Sequence, residues 1–283
     1  MPITFEKDLS FQPIENPNPR HLTPEQIDFY NREGYLKPFR VFDDLQTIAN
    51  RAYFDWLLAK ITAMRDGRNA YAINGFHTKA QSIWDIVTHP PILDYVEDLL
   101  GPNFVCWGTH FFCKLAGDPA AVPMHQDASY WPFDHSRTVT VWLAIDDADI
   151  ENAAMQFIPR THTRGALPWK QTQRAAVLNQ EIENIQALGE PVYDELRAGE
   201  MSLHADMLAH GSDPNSSNRR RCGLTIRYCP VEVRALNDDP VEKRGWNRKA
   251  ILVRGQDPSG HWSNYSRPVG EDFSPMEWQI NSG

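Results

Sequence analysis

The chain has 283 residues, 41% hydrophobic, 23% charged and 11% aromatic. That is long enough for a large core in one or two domains, and too balanced for a disordered or fibrous class. A formal net charge of -9, with basic residues scattered apart from Arg219-Arg220-Arg221, argues against a nucleic-acid partner.

The opening "MPITFEKDLS" lacks the charged-then-apolar layout of a signal peptide, and no apolar run reaches the roughly 18 residues that span a bilayer. The closing "INSG" is no peroxisomal address. Cys106, Cys113, Cys222 and Cys229 form no C-x-x-C pair, so they read as reduced, buried thiols rather than a zinc ribbon or disulfide scaffold. These features set the expectation of a cytoplasmic protein without a membrane partner.

Residues 1–22 are polar and rich in Pro and Asn, an irregular arm. Residues 23–102 read as a helical flank. In "LTPEQIDFYNREGY", Thr23 is an N-cap, Pro24 opens the helix, Gln26 completes a capping box and Gly34 marks the stop. "DDLQTIANRAYFDWLLAKITAM" places Leu45, Ile48, Ala52, Phe54, Leu57, Leu58 and Ile61 at helical spacing, and "PPILDYVEDLLGPN" ends a short helix at Gly101-Pro102. From residue 103 the character changes. "FVCWGTHFFCKLAG", "TVTVWLAIDDA", "AMQFIPR", "GEMSLHADMLAH", "CGLTIRYCPVEV" and "AILVRG" are short runs of β-branched and aromatic residues between Gly, Pro and Asp turns. Strands without intervening helices favour an antiparallel barrel or jelly roll. The expected architecture is one mainly β domain: a barrel core over 103–255, a polar lid-like insertion at 163–190 and a tail at 256–283.

The chemistry concentrates in "MHQDASYWPF". On a strand, residues i and i+2 share a face with Cα atoms about 6.6 Å apart, so His125 and Asp127 can bind one ion, with Gln126 on the other face. "SLHADMLAH" repeats the spacing at His204 and Asp206. If that run is a single strand, His210 lies about 13 Å beyond Asp206, too far for both to reach one ion. Spacing alone does not choose between the two pairs. Two imidazoles and one carboxylate on one face of a metal leave open positions, the arrangement that suits non-haem iron(II).

His125-Gln126-Asp127 followed by "DASYWPF", then "TVWLAIDDADIENAAMQFIPRTH" and "HGSDPNSSNRRRCGLTIRY", together resemble the phytanoyl-CoA dioxygenase family of iron(II)/2-oxoglutarate-dependent oxygenases, over roughly residues 70–265 and most closely its bacterial members. The resemblance implies a double-stranded β-helix with the helices as its flank. It implies Fe(II) on His125, Asp127 and His210, with 2-oxoglutarate as co-substrate and O2 as oxidant. Arg221, eleven residues after His210, matches the arginine on the distal carboxylate of 2-oxoglutarate, a role suited to a guanidinium fork. Arg227, at even spacing from it, is a weaker alternative. Ser212, Gln126, Trp142 and His110 match further residues around the co-substrate. Tyr130, Trp131, Phe133 and His77 are candidates for the substrate pocket, the three aromatics equally for barrel packing. His204 and Asp206 become barrel groups, with Asp206 placed to orient a ligand imidazole, and His135 and His162 become surface or turn residues. Where the family has glycine, this chain has Ala153 and Arg160. Relatives with Gly or Ala at position 127 halogenate, so Asp127 points to hydroxylation of a small molecule with release of succinate and CO2. A cupin-like isomerase or hydrolase, or a non-catalytic barrel binding metal or a small acid, remain the alternatives. Substrate identity and oligomeric state are not legible.

Overall fold

The start and stop signals around residue 23 are obeyed. In the computed structural model, which describes residues 7–71, 73–173, 176–236 and 249–275, helix α1 (Pro24–Glu33) begins with a reciprocal capping box. The Thr23 hydroxyl accepts from Gln26 N, and the Gln26 side chain accepts from Thr23 N. Gly34 closes it at φ +88°, where an added Cβ would lie 2.6 Å from His162 Nδ1, so both conformation and contact demand glycine. Of the surface or turn position expected for His162, the turn holds: it lies in the short 3-10 segment Thr161–Arg164, but is fully buried. Helices α2 (Asp44–Ala63), α3 (Gln81–Val87) and α4 (Pro90–Leu100) complete the flank. Phe54, Leu57 and Ile61 of α2 are buried in the core and Leu58 packs against it, while Leu45 and Ile48, expected on the same face, are 79% and 66% exposed. The described part of the expected tail contributes one short strand, and 276–283 lie outside the described residues.

The flank is not purely helical. Strand β1 (Tyr35–Arg40) crosses from α1 to α2 and forms one edge of the main sheet, and a register shift between Leu36 and Phe39 spans Pro38. Proline is tolerated there because an edge strand leaves N–H groups unpaired. The other strands are β2 (Phe104–Lys114), β3 (Val122–His125), β4 (Val139–Ala144), β5 (Met155–Phe157), β6 (Trp169–Gln171), β7 (Gln180–Ile182), β8 (Val192–Asp194), β9 (Glu200–Ala205), β10 (His210–Ser212), β11 (Arg221–Pro230), β12 (Lys249–Arg254) and β13 (Ser263–Asn264). They form a seven-stranded sheet, β1-β9-β4-β11-β2-β12-β13, and a four-stranded sheet, β3-β10-β5-β8. A separate β6–β7 hairpin occupies the 163–190 insertion. This is the double-stranded β-helix expected.

Strand alternation divides the large sheet into two faces. Phe111, Val141, Leu143, Met201, Leu203, Leu224 and Ile226 pack outward on Phe54 and Leu57 of α2, Val87 of α3 and Val96 and Leu99 of α4. Each such side chain fully buried contributes on the order of 2 kcal/mol. The opposite parity, including Thr140, Trp142, Ser202, His204, Arg221, Thr225 and Arg227, turns inward. Cys106, Cys113, Cys222 and Cys229 are buried free thiols.

The run "SLHADMLAH" is not one strand. β9 stops at Ala205, residues 206–208 turn, and His210 starts β10 in the other sheet. Asp206 pins this corner. Its carboxylate accepts from Ser136 Oγ and from Thr138 N, the latter at 2.9 Å.

Ala153 and Arg160, standing where the family has glycine, both adopt φ +67°. Arg160 is compensated by paired hydrogen bonds to the Glu33 carboxylate, 2.9 Å each. Ala153 has no such compensation. Replacing it with glycine relieves left-handed strain worth about 1 kcal/mol, and Ala153→Gly is expected to raise the melting temperature by about 2–4 °C in a thermal unfolding scan; a lower midpoint contradicts this account.

Candidate metal centre

Where β10 pairs with β3, His210 lies opposite His125 in register. Asp127 follows in the short 3-10 turn Asp127–Ser129, just past the end of β3. The structure therefore gathers two imidazoles and a carboxylate from two segments. One ligand atom from each of the three lies within 4.8 Å of the others, with His125 Nε2 3.4 Å and His210 Nε2 4.0 Å from Asp127 Oδ1. Bonds of about 2.1 Å allow neighbouring ligand atoms about 3 Å apart and opposed ones about 4.2 Å apart, so one ion is of the right size for this cluster.

Protonation is arranged to match. His125 Nδ1 lies 2.8 Å from the Pro123 carbonyl and His210 Nδ1 2.9 Å from the Leu208 carbonyl. A carbonyl only accepts, so each Nδ1 carries the proton and each Nε2 is left with its lone pair. Burial, followed by the neighbouring His125, pushes His210 down to about 4. Burial alone would raise the Asp127 carboxyl. The neighbouring imidazoles of His125 and His210 and the Arg227 guanidinium outweigh it and hold the group well below the usual carboxylate range. Thr140 Oγ1 donates to Asp127 Oδ2 at 3.4 Å. An uncharged His210 and an ionised Asp127 are the states a divalent cation requires of them.

The three groups open onto one cavity with Trp142, Met155, His204, Ser212, Arg221 and Arg227 on its wall. Arg221 is 1% exposed. Its Nη2 donates to Ser212 Oγ at 3.0 Å, its Nε has no partner and its Cζ lies 5.6 Å from the centre of the Trp142 ring. No carboxylate lies within ion-pair distance among the described residues. Such a buried fork fits an incoming carboxylate. Trp142 packs so tightly on β11 that a Cβ at Gly223 would come within 2.1 Å of the indole.

Other expected site residues fall elsewhere. Gln126 does not face the cavity. Its amide donates to the carbonyls of Gly165 and Met207, 3.0 and 2.8 Å, and accepts from Leu167 N at 2.8 Å. It follows strand alternation and ties the insertion to the ligand segment. His110 Nε2 bonds the Tyr71 carbonyl at 2.7 Å, and Phe112 rather than His110 lines the cavity. His77 is buried against the Thr109 hydroxyl, 3.1 Å from Nδ1, and is not on the wall. Trp131 and Phe133 sit with Trp107 and Trp262 in an aromatic core, barrel packing rather than cavity wall. Tyr130 approaches His125 edge-on, ring centres 5.9 Å apart. Asp206 orients no imidazole, since backbone carbonyls do so, whereas His204 lines the cavity with its ring 4.6 Å from that of His210. The sequence reading missed the Thr140 contact, although counting by two from Trp142 puts residue 140 on the inner face.

Comparison with known proteins gives the same picture. The family model for phytanoyl-CoA dioxygenase matches residues 30–223. Peroxisomal phytanoyl-CoA dioxygenase of Homo sapiens is 25% identical over 250 residues, 78% of this chain and 74% of that protein. The solved structure of the non-haem monooxygenase ThoJ, in its apo form, is similar at a TM-score of 0.73 and 27% identity, covering 90% of this chain and 93% of that one. CytC3 with Fe(II) and α-ketoglutarate shares the fold at a TM-score of 0.62 and 20% identity, covering 90% and 97%.

Two outcomes follow from this geometry. Loss of an orienting partner alone costs a metal site about 10–100-fold, so Asp127→Ala is expected to weaken Mn(II) binding at least about 100-fold by calorimetry; unchanged affinity removes Asp127 from the site. Asp194 on β8 is buried, with Ser202 Oγ donating to Oδ2 at 2.6 Å and Oδ1 unpartnered. Burial pushes its carboxyl up to about 7. A raised folded value means the stability is present below the ordinary value of about 4 and is lost as pH rises through 7. Asp194→Asn should therefore gain melting temperature relative to wild type between pH 5 and pH 8, and a difference that stays constant across that window would refute the assignment.

Proposed function

The chain belongs to the phytanoyl-CoA dioxygenase family of non-haem iron(II)- and 2-oxoglutarate-dependent oxygenases, and on that premise we propose that it hydroxylates an unactivated C–H bond of a small molecule, releasing succinate and CO2. The observation that carries the reading is one cavity holding both halves of the machinery: the His125, Asp127 and His210 cluster, and the buried Arg221 fork with no carboxylate of its own.

His125 and His210 would hold Fe(II) through Nε2 and Asp127 through its carboxylate. Bound there, the ion would supply the coupling of O2 reduction to oxidative decarboxylation of 2-oxoglutarate, with one oxygen atom going to succinate and the other to the product. Arg221 and Ser212 would grip the far carboxylate of 2-oxoglutarate, positioning its other end toward the cluster. Trp142, Phe112 and Met155 form an apolar wall that excludes water from this stretch. Asp127 supports hydroxylation because its carboxylate would fill a metal position that a Gly or Ala there would leave open. A cupin-like isomerase or hydrolase would have no use for an unpaired buried guanidinium facing its metal cluster.

The test is succinate release from Fe(II)-loaded protein against a metabolite library, with products weighed by mass spectrometry. The expected product is one oxygen atom heavier than its substrate. Truncating one partner of a buried, hydrogen-bonded charge pair costs about 2–5 kcal/mol, so Arg221→Gln should raise the 2-oxoglutarate KM about 100-fold or more. Products lighter by two hydrogens would replace hydroxylation with desaturation or ring closure, and turnover independent of 2-oxoglutarate would end the oxygenase reading.

A further inference from the structure

The cavity holds a second buried guanidinium besides the one assigned above to the far carboxylate of the co-substrate. Arg227 is 6% exposed, its Nε has no hydrogen-bond partner, and no carboxylate lies within ion-pair distance of it among the described residues. Outside the cavity, several arginines have an acid partner: Arg219 with Asp149, Arg220 with Asp146, Arg254 with Asp94 and Arg267 with Asp85. Among the described arginines, the two on the cavity wall, Arg221 and Arg227, are the buried ones, and both lack an acid. A buried unpaired charge is costly, and a wall that carries one is suited to a ligand that brings the counter-charge.

Strand register fixes where Arg227 stands. Across the large sheet it pairs with Thr140, and Thr140 pairs with His204. The Thr140 hydroxyl contacts Asp127, and the His204 ring lies 4.6 Å from that of His210, tilted by 55°. Arg227 is therefore level with the metal cluster. Arg221 lies six residues along the same strand, about 20 Å away at Cα, so the far carboxylate of a 2-oxoglutarate held on Arg221 is not the group that meets Arg227. Trp107 and Trp131 hold the Arg227 guanidinium by their ring faces, with centres 5.7 and 5.4 Å from Cζ, which fixes the group without satisfying its N–H donors. The charges agree. With Fe(II), Arg221 and Arg227 set against Asp127 and the two carboxylates of 2-oxoglutarate, one positive charge remains.

Building on the oxygenase reading, we propose that Arg227 is the substrate-recognition residue and that the substrate is a small monoanion, a carboxylic acid whose carboxylate docks on Arg227 beside the metal. Burial and the nearby Asp127 act on this guanidinium in opposite senses, and a substrate carboxylate adds to the side that favours its charged form. A neutral substrate would leave the charge buried and unpaired.

Acid and amide partners of equal shape test this directly: hexanoate against hexanamide, and phenylacetate against phenylacetamide. Each is titrated by thermal shift into the full-length protein, with and without Mn(II) plus N-oxalylglycine, an inert mimic of 2-oxoglutarate that occupies Arg221. In the loaded wild type the acids should raise the melting temperature saturably and the amides should not. Arg227→Gln should weaken the acids at least about tenfold while keeping the N-oxalylglycine response, and Arg227→Lys should restore part of the effect. Acids and amides that are indistinguishable in the wild type, including by failing to bind, overturn the proposal without any variant. So does acid binding that survives Arg227→Gln. Absence of a Mn(II)-dependent N-oxalylglycine response would instead count against the oxygenase reading, and the acid–amide comparison in unloaded protein, with Arg221→Gln as control, still decides the role of Arg227.

Discussion

The centre depends on a single cross-strand pairing, His210 of β10 opposite His125 of β3. Register in a sheet is all or none: a slip of one residue would send either imidazole to the opposite face. Two backbone carbonyls then complete the arrangement, each two residues before the histidine it orients. Imidazole direction and tautomer are thus set by the main chain, without an orienting carboxylate. Asp206, the acid placed for that work by sequence, serves instead to turn the corner between sheets.

That corner also shows what sequence does and does not expose. The helix boundaries were legible because capping is local: Thr23, Gln26 and Gly34 act within one or two turns of chain. The barrel strands were legible from β-branched and aromatic runs, and the ligand set from an H-x-D motif supplemented by a family resemblance. The sheet switch at residues 206–208 was not, because "ADML" contains neither Gly nor Pro and its residues are apolar or buried on both sides. β1 was hidden by Pro38, which argues against a strand unless the strand is known to be an edge. For Gln126 the two kinds of reasoning disagreed. Alternation placed it away from His125 and Asp127, positional likeness placed it at the co-substrate, and the structure follows alternation.

Electrostatics separate the cavity from the rest of the molecule. Arg219 and Arg267 sit in exposed or half-exposed ion pairs of small net value. The inner face of β11 instead carries Arg221 and Arg227 with no acid in contact. Nearby Asp194 is pushed toward its neutral form by burial, so the cavity is biased toward positive charge although the chain carries -9 overall. Local potential in a closed site reflects which groups are desolvated, not the composition of the surface.

The Gln126 amide joins three places at once: the strand that ends in His125, the insertion at Gly165 and Leu167, and the corner at Met207 that leads into His210. A single planar group thereby works as a rivet through ligand strand, cover and corner. The insertion cannot swing as a free flap hinged at its ends. Any opening that separates residues 165–167 from the barrel must first strip this amide, and so pull on the main chain next to both imidazoles.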